Sequence, residues 1–198
     1  AEEPPSFLRK WGAFGSEPGQ FFAPWGVATS PDGSIFVADR YNHRVQVFSY
    51  DGIFIAQWGS FGSAPGQFNE PVAITVDGSG NVLVIDSQNH RVQRFARDGA
   101  FLASWGGLGS DSGLFNTPYG IALDSSNEVY VADRYNYRIQ KFTPTGEFLT
   151  TWGDSGAADG EFDEPLDVAV GSGDVVYVAD ALNHRIQIFT DDGSWIGK

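Results

Sequence analysis

Asp39, Asp86, Asp133 and Asp180 stand 47 residues apart, and so do Trp11, Trp58, Trp105 and Trp152. Around the aspartates one stretch keeps returning. It runs Val37-Ala38-Asp39-Arg40-Tyr41-Asn42-His43-Arg44-Val45-Gln46-Val47-Phe48, and recurs from Val84 to Phe95, from Val131 to Phe142 and from Val178 to Phe189. A strict period of about 20 to 50 residues marks a chain built from copies of one supersecondary unit that buries its apolar faces only by stacking on its neighbours. The chain is therefore read as one array over residues 7–198, after a polar, proline-bearing lead-in at 1–6. Its repeats fall at approximately 11–57, 58–104, 105–151 and 152–198.

Within one period the residues predict four short strands. The first is Gly26 to Ser30. The second, Ile35 to Ala38, is apolar on both sides, as suits a strand sandwiched between two layers. The third, Arg44 to Phe48, alternates, which predicts one polar side. The fourth, Phe54 to Trp58, ends on the repeated tryptophan. Pro31-Asp32-Gly33, Arg40-Tyr41-Asn42-His43 and Asp51-Gly52 separate them with hairpin-turn chemistry. A longer link, Gly59 to Pro71, joins each period to the next, and its Phe68 matches Phe21, Phe115 and Phe162. A phenylalanine repeated inside a loop is expected to plug the space between adjacent sheets. The leading segment Phe7 to Trp11 is in phase with the fourth strand, so an extra N-terminal outer strand is expected, and Ser194 to Gly197 closes the last period. No helix signal is present. Repeated four-stranded antiparallel units of this length are the blades of an all-β propeller.

Composition narrows the partners. Apolar residues make up 41% and aromatics 15% of 198 residues, which is a globular composition. The 25 acidic residues against 12 basic ones leave a net charge of -13, and a phosphate backbone is a poor partner for such a surface. Nucleic acid is accordingly not expected. No apolar run reaches the roughly 18 residues a spanning helix needs, so no membrane insertion is expected. Cysteine is absent, which removes disulfides and thiolate chemistry. Methionine is absent too, and Ala1-Glu2-Glu3-Pro4-Pro5 suits a mature end left after signal-peptide removal. A secreted or cell-surface location is the expectation.

Pro-x-Gly-Val-Ala, Ile-Phe-Val-Ala-Asp, Asn-x-Arg-Val-Gln-x-Phe, Asp-Gly-x-Phe and Trp-Gly together resemble the NHL-repeat family of β-propellers, in four copies from Phe7 onward. The resemblance implies closed rings, commonly of about five or six blades, that act mainly as binding platforms. This chain carries four periods. Either it closes as a four-bladed ring with one outer strand to spare, or it is an arc whose end blades meet other chains or further repeats. Broad apolar end faces favour association, head to tail.

Asp39 with Arg44, and the echoes Asp86 with Arg91, Asp133 with Arg138 and Asp180 with Arg185, are expected to brace the hairpin loop by charge-assisted hydrogen bonds, with Asn42 in the left-handed position. His43, His90 and His184 share one repeat position with Tyr137, on separate blades and too far apart for metal bonds of about 2 Å. The family includes a zinc lyase whose histidines begin the innermost strand. The matching residues here, Trp25, Gly26, Val72, Ala73, Tyr119, Gly120, Leu166 and Asp167, include no histidine, so no metal site is carried over. Asp159, Glu161, Asp163, Glu164 and Asp167 read as a solvated acidic face more readily than as a calcium loop. No nucleophile elbow or phosphate loop occurs, and no catalytic residue or cofactor is implied.

What varies between repeats points elsewhere. Trp25, Arg40, Tyr41, Tyr119, Arg134 and Tyr135 are expected on one face, and aromatic and arginine side chains anchor protein contacts. The alternative is that Trp25 and Tyr119 merely fill the channel mouth. The leading expectation is a non-catalytic binding or self-assembling scaffold that engages a protein partner, or copies of itself through its end blades. The rival is a propeller lyase or hydrolase with an axial metal. RNA binding is a third reading, and the charge opposes it.

Overall fold

The protein is described by a computed structural model over residues 9–198. Four antiparallel sheets follow one another, each a meander with its strands in chain order. The first blade holds β1 (Pro24–Thr29), β2 (Ile35–Asp39), β3 (Arg44–Phe48) and β4 (Phe54–Trp58). The second holds β5 (Pro71–Val76), β6 (Val82–Asp86), β7 (Arg91–Phe95) and β8 (Phe101–Gly106). The third holds β9 (Pro118–Leu123), β10 (Val129–Asp133), β11 (Arg138–Phe142) and β12 (Phe148–Trp152). The fourth holds β13 (Pro165–Val170), β14 (Val176–Asp180), β15 (Arg185–Phe189) and β16 (Trp195–Gly197).

Turn chemistry sets these hairpins. Gly52 sits at φ 82° and donates its N–H to Ser49 O at 2.9 Å, a conformation that costs glycine little and other residues more. β6 and β10 are buried along their whole length, as their double-sided apolar pattern requires.

Several expectations change. The innermost strand begins at Pro24, two residues before the expected Gly26, because a bulge opposes Trp25 and Gly26 to Ala38 alone. The third strand has no wet side: all of Arg44–Phe48 is buried, since the long link folds over Arg44 and Gln46. One-turn 3-10 segments, without a helix signal in the sequence, fill Arg40–Asn42, Ser87–Asn89 and Arg134–Asn136. His43, at φ 53°, takes the left-handed position expected for Asn42. The Asn42 amide is needed elsewhere, donating to Gly15 O and to Asp39 Oδ2, each at 2.9 Å. Of the expected leading strand, Phe7 and Leu8 lie outside the described residues, as does the lead-in at 1–6, and Arg9–Trp11 is not in a strand.

Blades stack in chain order, always with the same two faces. Phe36, Ala38, Val45 and Val47 of the first meet Ile74, Val82, Val84 and Phe95 of the second. Leu83, Ile85 and Val92 then meet Ile121, Val129 and Val131, while Tyr130, Ala132 and Ile139 meet Val168, Val176 and Val178. Phe68, Phe115 and Phe162 are each fully buried in one of these three seams, as the plug reading requires. Gly106 shows how tight the seam is. It sits at φ 108°, and a methyl there would stand 2.7 Å from the Phe115 ring. The two outermost faces have no such cover: Val27 of the first blade is 65% exposed and Ile186 of the fourth 52%. Among the described residues, no helix is long and apolar enough to cross a membrane.

Candidate functional site

The repeated aspartate organises one end of every blade. Asp39 is fully buried and accepts hydrogen bonds from Phe22 N–H at 2.8 Å, Asn42 Nδ2 at 2.9 Å, Arg44 Nε at 2.8 Å and Gln46 Nε2 at 3.1 Å. The rest of the Arg44 guanidinium donates to the carbonyls of Ser16, Glu17 and Gln20 in the link. Asp86 with Arg91, Asp133 with Arg138 and Asp180 with Arg185 are joined the same way, at 2.7, 2.8 and 2.7 Å. Burial pushes the Asp86 and Asp133 carboxyls above their ordinary value, and the hydrogen bonds from backbone, asparagine and arginine offset only part of that cost. These hubs staple each long link to its own blade.

That stapling puts the links and the turns between second and third strands on one face. Six residues singled out in the sequence converge there. The bulges in β1 and β9 aim Trp25 and Tyr119 across the axis, where their rings stand 5.8 Å apart at 89°. The Arg40 guanidinium lies 4.9 Å from the ring centres of both Trp25 and Tyr41. Two blades on, Arg134 repeats this at 5.5 Å over Tyr119 and 4.5 Å over Tyr135. Edge-to-face rings extend the line to the rim, with Phe22 5.1 Å from Tyr41 and Phe14 5.2 Å from Phe22. Trp25 is 54% exposed and Phe14 80%.

Four members were not foreseen. Phe14 and Phe22 belong to the link, where only the plug phenylalanine draws notice in the sequence. Glu70 and Glu164 fix the two arginines: Arg40 Nε donates to Glu70 Oε2 at 3.0 Å and Arg134 Nε to Glu164 Oε2 at 2.9 Å. Their signal was there to be read, because arginine and glutamate both recur two periods apart, with Ser87 and Thr117 at the intervening positions.

The other candidates disperse. His43 Nδ1 accepts Glu70 N–H at 3.2 Å and His90 Nδ1 accepts Thr117 N–H at 3.0 Å, so each imidazole ties its blade to the next link. Burial lowers the His90 pKa below its ordinary value. In the acidic stretch, Asp159 pairs with Lys198 at 2.6 Å, Glu161 accepts Ala158 N–H at 2.9 Å, and Glu164 holds Arg134. Among the described residues, no three His, Asp or Glu side chains are grouped to hold a metal.

Below the aromatic bridge lies a cavity of about 450 Å³ on the axis, walled by all four innermost strands. Leu166 shares its mouth with Trp25 and Tyr119, the equivalent Val72 turns into the second seam, and Asp167 stands one residue deeper, where the other blades carry Gly26, Ala73 and Gly120. Asp167 faces the open space on one side and protein on the other. The residue is exposed, and the protein behind its carboxyl pushes it above the ordinary value by partial desolvation, against one hydrogen bond from Val168 N–H at 3.0 Å.

Radial four-stranded sheets, an axial cavity and turns gathered on one face define an all-β propeller of four blades. The NHL repeat model matches residues 23–48, 68–95, 115–142 and 162–189, more than half of the chain. The chain belongs to the NHL-repeat family. No curated protein matches the sequence. Among solved structures, a streptogramin B lyase superposes with a TM-score of 0.69 at 18% identity, covering 87% of this chain and 53% of its own. Hydrazine synthase of Kuenenia stuttgartiensis gives 0.68 at 13% identity, covering 93% and 51%. A nidogen/laminin complex gives 0.65 at 18% identity, covering 89% and 63%. The chain thus spans less than two thirds of the length of these neighbours, and identities this low carry the fold alone.

Proposed function

We propose that this propeller is a non-catalytic binding module that engages a protein partner through the face bearing Trp25, Arg40, Tyr41, Tyr119, Arg134 and Tyr135. The observation that carries the reading is the unbroken run of ring and guanidinium contacts from Phe14 to Tyr135. Arginines locked by Glu70 and Glu164 hold the rings in place, so a partner would meet a preformed surface at little entropic cost. Aromatic and arginine anchors dominate the energetics of such contacts. Photo-crosslinking separates this face from the rest. A photoreactive phenylalanine analogue at Tyr41 or Trp25 is expected to capture discrete proteins from extracts of the source cells, while the same analogue at Tyr50, on a hairpin between third and fourth strands, captures none of them. Identical products from Tyr50 would overturn the assignment.

A second reading, self-assembly through the end blades, has its own observation. Val27 is 65% exposed where its equivalents Ile74, Ile121 and Val168 are buried, and Ile186 is 52% exposed where Ile139 is fully buried. The first and fourth blades thus present the two halves of the seam that recurs inside the protein, which suits a head-to-tail contact. A solution mass of 21.5 kDa at micromolar concentration sinks this reading. A larger mass that Ile186→Asp abolishes supports it.

A further inference from the structure

The axial cavity has a chemistry distinct from the face above it. At one repeat position the innermost strands carry Gly26, Ala73, Gly120 and Asp167, and of these only Asp167 brings a functional group to the cavity. Arg40 and Arg134, the nearest cations at the mouth, are already neutralised by Glu70 and Glu164. Among the described residues, no Lys, Arg or His pairs with Asp167. It accepts one hydrogen bond, from Val168 N–H to Oδ1, leaving Oδ2 as the open acceptor. The half-buried Leu166 stands next to it, Val72 turns its side chain into the second seam, and the Trp25 and Tyr119 rings form the mouth.

We propose that this cavity binds a primary alkylammonium group. Its N–H donors meet the open oxygen of Asp167, and its methylene stem lies against Leu166 and the two rings. A carboxylate beside aromatic faces is the environment that favours an organic cation. An ammonium suits it better than a guanidinium, whose fork calls for two free carboxylate oxygens. A hard metal ion, which takes about six or more oxygen ligands for calcium, finds one carboxylate here. The net charge of -13 adds long-range attraction for cations. The same group is presented by a free small amine and by a lysine side chain, and the site reads only the chemistry they share.

The test uses the whole protein and does not depend on the partner proposed above. n-Butylammonium is titrated while tryptophan fluorescence and amide NMR shifts are followed, with n-butanol as the neutral analogue. Saturable binding is expected for the amine alone, with shifts centred on Trp25, Tyr119 and Asp167. Asp167→Asn is expected to weaken it by about ten- to a hundredfold, the loss of one charge-assisted hydrogen bond. Asp167→Ala, which copies the residue at Ala73, should abolish it in a folded protein. Two further titrants distinguish the sources: 1,5-diaminopentane binding the tighter points to a free amine, and an Nα-acetyl-lysine amide binding the tighter to a lysine of a partner. Absence of saturation, equal binding of butanol, or unchanged affinity in Asp167→Asn overturns the proposal.

Discussion

Replacing the plug phenylalanines one at a time measures what the seams are worth. Phe115 is fully buried between the second and third blades, with its ring 5.5 Å from Phe142 and walls supplied by Leu83, Ile85, Val129 and Val131. Phe21 holds the same place in the repeat and lies equally close, at 5.5 Å, to Phe48. Its outer side is only half-buried, because no blade precedes the first among the described residues. Truncating a buried phenylalanine to alanine costs about 3 to 5 kcal/mol through lost transfer energy and a residual cavity. Phe115→Ala is expected to fall in that range. With packing on one side only, Phe21→Ala should cost about half as much, near 1.5 to 2.5 kcal/mol. Urea unfolding followed by tryptophan fluorescence and far-UV circular dichroism reads the difference. With a slope of about 2 to 3 kcal/mol per M, the Phe115→Ala midpoint drops by about 1 to 2.5 M and that of Phe21→Ala by about half as much. The two probes together reveal any blade-by-blade unfolding, to which repeat arrays are prone. Equal losses would refute the reasoning, since Phe21 would then have a covered outer flank.

Three other outcomes follow from the same structure. Arg91→Leu strands the fully buried Asp86 carboxylate without its 2.7 Å partner, and should cost about 3 to 5 kcal/mol in the same urea assay. His90 has its pKa lowered by burial from 6.5, so the folded state binds the proton more weakly than the unfolded one. Its contribution is complete above that value and is lost as pH falls toward the folded pKa. Melting curves between pH 7.5 and 5 should show a larger drop for the wild type than for His90→Asn, which also tolerates the left-handed backbone. Asp167 is an exposed residue, but protein packed behind its carboxyl raises its pKa above 3.8, so its ionised form opposes folding only weakly in the presence of solvent screening. Asp167→Ala should melt slightly above the wild type at pH 7, with the gap closing as pH falls through the raised pKa to below 3.8.

Periodicity made the architecture readable, because the 47-residue spacing and the turn glycine at Gly52, Gly99, Gly146 and Gly193 are local and survive in every copy. The plug role of Phe68 was legible for the same reason, as was the bracing of Asp39 by Arg44. What escaped depends on neighbours in space. Alternation in Arg44–Phe48 suggested a polar side, yet the link supplies carbonyls that let Arg44 and Gln46 be buried. Asn42 has a high left-handed preference, but its amide serves Asp39 and Gly15, so the strained backbone passes to His43. The six face residues were found because they break the repeat. Their Glu70 and Glu164 partners were not, since a bond from one blade to the next link shows itself only at double spacing.

That double spacing has a consequence for how such an array of blades can grow. Arg40 reaches Glu70 across the first seam and Arg134 reaches Glu164 across the third, while the middle seam has Ser87 and Thr117 in those slots. The natural module is therefore a couple of blades with an ionic clasp inside it and a neutral joint to the next couple. Splicing in a single odd blade would leave a clasp half-made, whereas adding blades by twos keeps every arginine matched. The neutral joint between couples is then where a longer or redesigned ring can most readily be cut and rejoined.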